Sequence, residues 1–146
     1  MSDIVLATDG SSHSLDAARF IVQEGLLPAD GKVHVLHVST ALPSRVTRFV
    51  DKESVDSWYA EEAAKVLDPT IEVLEAAGVP FEPWALVGFA PKEIVEHAKK
   101  IGARMIVMGA HGRGVLLDAV IGSVAGRVLS LAECPVLLVK SPPKTA

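Results

Sequence analysis

Gly109, Gly112, Gly122 and Ser123 form the pattern Gly-x2-Gly-x9-Gly-Ser, and no other stretch of the chain has a spacing so suggestive of chemistry. They follow an apolar run, Met105 to Met108, that reads as a buried parallel strand. They lead into Val124, Val128 and Leu131, which repeat at the spacing of one helix face. A strand, a glycine-rich loop and a helix N-terminus together build an anion site from backbone alone. Glycine permits positive φ and a close approach of the main chain, while the free N–H groups and positive dipole end of the helix favour phosphate. A loop that merely turns sharply would use glycine as well. Two other phosphate motifs are absent. Gly31-Lys32 is followed by Val33 and lacks the upstream glycine of a P-loop, and Gly112-x-Gly114 meets Leu117 where a dinucleotide fingerprint needs its third glycine.

Other reactive side chains lie in or near this loop. Arg113 is the loop's only fixed positive charge, and it reads either as a bidentate phosphate contact or as a solvated loop residue. His111 could carry a proton or accept a phosphoryl group. No second acid or base is tied to it in sequence, so it is read as a pocket-lining histidine. His37 lies inside a strand and reads as a satisfied core residue. His13, His34 and His97 have no metal-ligand spacing, and Cys134, before Pro135 in an apolar setting, reads as inert.

The elements that must position these residues follow from periodicity and punctuation. Strands are expected at 3–9, 33–38, 79–86, 104–108 and 136–139, the third near an edge because of Pro80 and Pro83. Helices are expected from about Leu15 to Leu27, from Lys52 to Ala77, from Pro91 at a first helical position to Ile101, and after Ser123. Pro69 should kink or split the long second helix, whose inward candidates are Val55, Trp58, Tyr59, Val66 and Ile71. Ala41 to Val50 has no clean period and reads as a loop. Strands alternating with helices argue an α/β domain with a parallel sheet. The domain is expected to span 1–140, with 141–146 a disordered tail.

The chain resembles the universal stress protein family, in its nucleotide-binding branch, along nearly its whole length. The Gly109–Ser123 pattern matches that branch's signature. Ile4 to Ser11 looks like the family's first strand and acidic turn, Val35 to Val38 like its second strand, Val87 to Ile94 like its third strand-to-helix junction, and Cys134 to Val139 like its last strand. The resemblance implies a single open five-stranded parallel sheet, Rossmann-like, in the order 3-2-1-4-5. Ligands of such sheets bind where the winding reverses, which would set Asp9 and the Gly109 loop on two sides of one crevice.

The resemblance also implies ATP, or AMP, as ligand, with Mg²⁺ carried by the phosphates. Gly109, Gly112, Gly122, Ser123 and Val124 would hold the phosphates, Asp9 would lie by the adenine or ribose, and the Val38 backbone beside the adenine. Ala7, Thr8 and Met108 would line the same pocket, with His111 and Arg113 in the loop. Each residue has a plainer alternative: Ser123 as an ordinary N-cap, Asp9 as a capping aspartate, Met108 as core. The implied function is a nucleotide-sensing stress-response protein without catalysis. A weak ATPase or phosphotransferase and a nucleotide-independent interaction module are the alternatives. Dimerisation through 136–139 is expected from the resemblance and from the apolar edge.

Bulk composition narrows the classes. The chain has 146 residues, enough for one domain with a proper core, and 49% are hydrophobic. No apolar run approaches the roughly 20 residues that span a bilayer, and no signal peptide is apparent. One cysteine rules out an internal disulfide. A net charge of −4 without a basic block, and few aromatics, argue against nucleic-acid binding. A cytoplasmic protein is the reading.

Overall fold

The computed structural model describes residues 2–111 and 121–141. Five strands, β1 (Ile4–Ala7), β2 (Val33–Ser39), β3 (Phe81–Val87), β4 (Met105–Gly109) and β5 (Val136–Val139), form one sheet. All neighbours are parallel and the order is β3-β2-β1-β4-β5, as expected. The helices are α1 (Ser12–Glu24), α2 (Ser44–Thr47), α3 (Lys52–Ala76), α4 (Ala90–Ile101) and α5 (Ser123–Leu131).

Strand alternation divides the core into two layers, because successive side chains leave a strand on opposite faces. Ile4, Leu6, Val33, Val35 and Val107 pack with Ala17, Ala18, Ile21, Leu67 and Leu74 of α1 and α3. Val5, Ala7, Leu36, Ile106 and Met108 pack on the other face with Ile94, Ala98, Ala125 and Val128 of α4 and α5. β1 is the central strand and all four of its residues are buried. Its near-continuous apolar run is what a strand covered on both faces requires.

The helix ends follow local chemistry. Ser11 caps α1 by accepting from the Ser14 N–H, and Asp51 caps α3 by accepting from the Ser54 N–H. The two bonds from Ser54 hold the Asp51 carboxyl below its ordinary value. Gly25 and Gly102, both left-handed, close α1 and α4. Pro91 occupies the second position of α4 rather than the first, a place that also needs no helical N–H partner.

Three expectations are corrected. The stretch 41–50 is not all loop: Ser44–Thr47 forms a helix of four residues, too short to show an apolar period. Phe49, just after it, is 86% exposed. Pro69 does not split α3, which continues through it. Pro69 and Lys65, whose carbonyl loses its helical donor, both face solvent, so water can replace the missing bond. The third correction concerns the inward face of α3. Its buried residues are Ala63, Val66, Leu67, Thr70 and Leu74, whereas Trp58 is 43% exposed. The 25 residues of α3 extend about 37 Å, while a strand of seven spans about 23 Å, so the first turns of α3 overrun the sheet.

Among the described residues no helix is long and apolar enough to cross a membrane. Replacing Pro69 with alanine should restore one helical bond at an exposed position. We expect the folded state to gain about 1–2 kcal/mol, after allowing for proline's restriction of the unfolded chain. A urea melt of Pro69→Ala at or below wild-type stability would show that Pro69 does not weaken α3.

Candidate functional site

At the carboxyl ends of β1, β2 and β4 the sheet opens into a cavity of about 340 Å³, within the size range of small-molecule sites. Ala7, Thr8 and Asp9 supply the β1 wall, Leu36, His37 and Val38 the β2 wall, and Met108 and Gly109 the β4 wall. Gly122 to Ala125 close it with the first turn of α5, and Ala90 and Ile94 with the start of α4. Ten of the twelve residues singled out from sequence line this one space: Ala7, Thr8, Asp9, Val38, Met108, Gly109, His111, Gly122, Ser123 and Val124. Gly112 and Arg113 lie outside the described residues.

The β1–α1 turn is built around Asp9. Its Oδ1 accepts from the Ser11 N–H at 2.9 Å and from the Ser14 hydroxyl at 2.7 Å. The Asp9 N–H donates in turn to Ser14 Oγ at 3.1 Å. Asp9 is therefore the hub of an Asx-type turn, while Ser11 is the helix cap. Gly10 has φ of +80°, a left-handed conformation that suits glycine, and its N–H donates to Thr8 Oγ1 at 3.2 Å. Thr8 also meets Thr70 of α3, hydroxyl to hydroxyl, at 3.3 Å. Both are buried, and Thr8 supplies the Thr70 hydroxyl with a hydrogen-bond partner in the interior.

His37 departs from its expected role. It is only half-buried, and its ring forms part of the cavity wall. Nδ1 lies 3.1 Å from the Thr8 carbonyl. A carbonyl can only accept, so Nδ1 carries the hydrogen and Nε2 the lone pair of the neutral ring. Alternation along β2 distinguishes the two faces of the sheet but not the strand's cavity end from its buried end.

The glycines act in different ways. Gly109 ends β4 without positive φ. A Cβ there would lie 2.9 Å from both the carbonyl carbon and the Cβ of His13. Its smallness admits the start of α1 against β4, a packing role in addition to the close phosphate approach expected from sequence. Across the loop, the Gly122 N–H donates to the Ala110 carbonyl at 2.8 Å, tying the loop's two ends together. Gly122 is also the N-cap of α5, and among the described residues no side chain caps that helix. Ser123 is thus the first helical residue rather than the cap. The first-turn N–H groups of Ser123, Val124 and Ala125 have no intrahelical acceptor, and all three residues line the cavity.

His111 borders the same space with its Nδ1 buried and without a hydrogen-bond partner among the described residues. Its ring meets that of His13 edge-on at 5.4 Å. His13 Nδ1 is 2.6 Å from Ser141 Oγ, so Ser141, assigned from sequence to the tail, is held against α1. Residues 142–146 lie outside the described residues. Burial raises the Cys134 thiol above its ordinary value, which keeps it protonated. No group of three or more His, Cys, Asp or Glu among the described residues could hold a metal ion.

Sequence reasoning missed Ser14, Leu36, His37, Thr40, Ala90, Ile94 and Ala125 as cavity residues. Ala90 and Ile94 were within reach, because they open the helix after the third strand, on the side of the sheet where the β1 and β4 loops emerge.

An open parallel sheet wound in two directions, with its cavity at the reversal, defines the doubly wound α/β class. Within that class the chain belongs to the universal stress protein family, whose model matches residues 1–140. It is 37% identical over 147 residues to universal stress protein MJ0531 of Methanocaldococcus jannaschii, covering 97% of this chain and 83% of that protein. Its fold superposes on MJ0577 of the same organism with a TM-score of 0.81, at 27% identity and 98% coverage of each chain. The universal stress protein of Archaeoglobus fulgidus in complex with dAMP superposes with a TM-score of 0.69, at 27% identity, covering 96% of this chain and 98% of that one.

Gly109→Ala should test the packing of α1 on β4. The added methyl meets backbone, which cannot swing aside, so we expect a loss of about 1–3 kcal/mol in urea unfolding. Wild-type stability would show that α1 shifts freely.

Proposed function

We propose that this protein binds an adenine nucleotide, ATP or AMP, in the cavity at the β1/β4 reversal, and that the bound nucleotide is a signal rather than a substrate. The observation that carries this reading is the first turn of α5, which has no side-chain cap among the described residues and whose residues line the cavity. Backbone donors at a helix N-terminus suit a phosphate chain. Above them Val38, Leu36, Met108 and Ile94 offer apolar walls for a base, and the fixed Asp9 carboxylate offers an acceptor for ribose hydroxyls. The Archaeoglobus fulgidus relative with dAMP supports the same ligand class. Mg²⁺ would arrive on the phosphates, in keeping with an ion that binds through phosphates and few protein groups.

We read the protein as non-enzymatic. Nucleotide hydrolysis needs a group that activates water, and His111 has no carboxylate partner to orient it among the described residues. Ligand binding would instead shift a conformational or assembly equilibrium. A symmetric homodimer through β5 fits this scheme: β5 is a sheet edge whose Val136, Leu137 and Leu138 are only half-buried. We place the protein in the cytoplasm, with residues 1–140 as the working domain.

Calorimetric titration with ATP and Mg²⁺ should show one site per chain. Gly122→Leu, which puts a bulky side chain at the α5 cap, should weaken binding at least about tenfold, or roughly 1.4 kcal/mol. Saturable binding unaffected by Gly122→Leu would move the site elsewhere. No binding of ATP or AMP at millimolar ligand would leave the interaction module as the reading. Phosphate release that survives purification and collapses in His111→Ala would make the protein an enzyme.

A further inference from the structure

At the opposite end of the sheet from the cavity lies a buried polar cluster that the proposed function does not use. His34, near the start of β2, is 4% exposed and His97 of α4 is 8% exposed. Trp84 of β3 stands against both: its ring lies 4.6 Å from that of His97, edge-on, and 6.2 Å from that of His34. The two imidazoles are 5.6 Å apart. The ring contacts of His97 with His34 and Trp84 therefore hold α4 against the β2–β3 edge of the sheet.

The hydrogen bonds in this cluster leave His97 without an acceptor. The Trp84 indole can only donate, and it donates to His34 Nδ1 at 3.0 Å. His34 must then carry its hydrogen on Nε2, which donates to the Asp3 carboxylate at 2.9 Å. That bond is the main reason the Asp3 carboxyl sits below its ordinary value. The other Asp3 oxygen accepts from the Lys32 N–H at 3.1 Å. His97 Nε2, by contrast, is buried with no partner among the described residues.

The charged and titratable groups facing His97 are His34 of β2, Glu82 of β3 and Lys100 of its own helix. Glu82 alone favours a cationic ring, and it is itself paired with Lys32 Nζ at 3.5 Å. Burial, His34 and Lys100 all oppose the cation and hold His97 below the ordinary imidazole value of 6.5. A proton on His97 would thus create a buried charge with no acceptor within the cluster, which a protein relieves by moving the group into water.

We propose that His97 is an acid-sensing latch: its protonation releases α4 from the β2–β3 edge and so loosens the wall of the cavity. The link to the cavity is the helix itself. Ile94 lies one turn before His97 on the same buried face, and with Ala90 it forms the α4 side of the cavity. This second step rests on the nucleotide reading above; the first does not.

The sign follows from the shift. The unfolded chain takes up the proton near the ordinary value and the folded chain takes it up only at lower pH. Stability is therefore intact above about 6.5 and declines as pH falls below it. The Asp3 contribution is lost only below the ordinary carboxyl value of 3.8, so it does not act between pH 7.5 and pH 5.

The test compares thermal unfolding of the wild type and His97→Leu at pH 7.5 and pH 5. The wild-type melting temperature should fall by about 3–5 °C more than the variant's; equal falls would overturn the latch. Should His97→Leu not fold, the imidazole carbon-bound protons of the wild type can be titrated by NMR. His97 should then protonate below 6.5 with a concerted shift of the Trp84 indole N–H. Protonation at or above that value, or an unmoved indole signal, would overturn it. For the second step, ATP affinity should drop severalfold more from pH 7.5 to pH 5 in the wild type than in His97→Leu. A drop of equal size would refute the link to the cavity, and the absence of ATP binding at either pH would refute the nucleotide reading and leave the latch standing.

Discussion

Parallel strands can be joined only by crossovers, and those crossovers are right-handed. The rest of this structure depends on that constraint. With β1 at the centre, winding outward through β2 to β3 puts α1 and α3 on one face. Returning to β4 and β5 puts α4 and α5 on the other. The loop after β1 and the loop after β4 must then leave the sheet toward opposite faces. Between them no helix can pack, and the cavity is what remains. It is a consequence of chain direction before it is a consequence of any side chain.

Side chains then decide what that space can hold. Asp9, Ser11 and Ser14 satisfy one another within the turn, so the carboxylate is already oriented before any ligand arrives. Preorganisation of this kind lowers the ordering cost of binding. At α5 the reverse holds: a glycine cap leaves the first-turn donors without a side-chain acceptor among the described residues. One wall of the cavity holds a carboxylate in a set orientation, and the other lines the space with the first turn of a helix. A polyanion with hydroxyl groups at one end is complementary to both.

Much of this was legible in the sequence for a physical reason. The strands are buried on both faces and so read as apolar runs, and the Gly-x2-Gly-x9-Gly-Ser spacing ties a loop to a helix start. What was not legible depends on distant packing. Gly109 is a glycine because His13, nearly a hundred residues earlier, lies against it, and no local pattern encodes that. The continuity of α3 through Pro69 depends on which side of the helix faces water. The exposed Trp58 depends on where the sheet ends beneath α3. His37 looked like core because alternation alone does not show that β2 ends at a cavity. Family resemblance supplied the strand order, which periodicity alone does not give.

α4 connects the two ends of the molecule. Its first turn borders the cavity, and its third turn carries an imidazole packed against aromatic rings. A buried polar group that lacks a partner costs free energy that an apolar residue of similar size would not. At position 97 the helix tolerates that cost, although neighbouring Ala98 and Ile94 show that the same face accepts apolar side chains. Beside it, Asp3, His34 and Trp84 are hydrogen-bonded to one another, so a proton on His97 finds no acceptor among them. The element free to respond is α4, and it carries Ile94 and Ala90 with it.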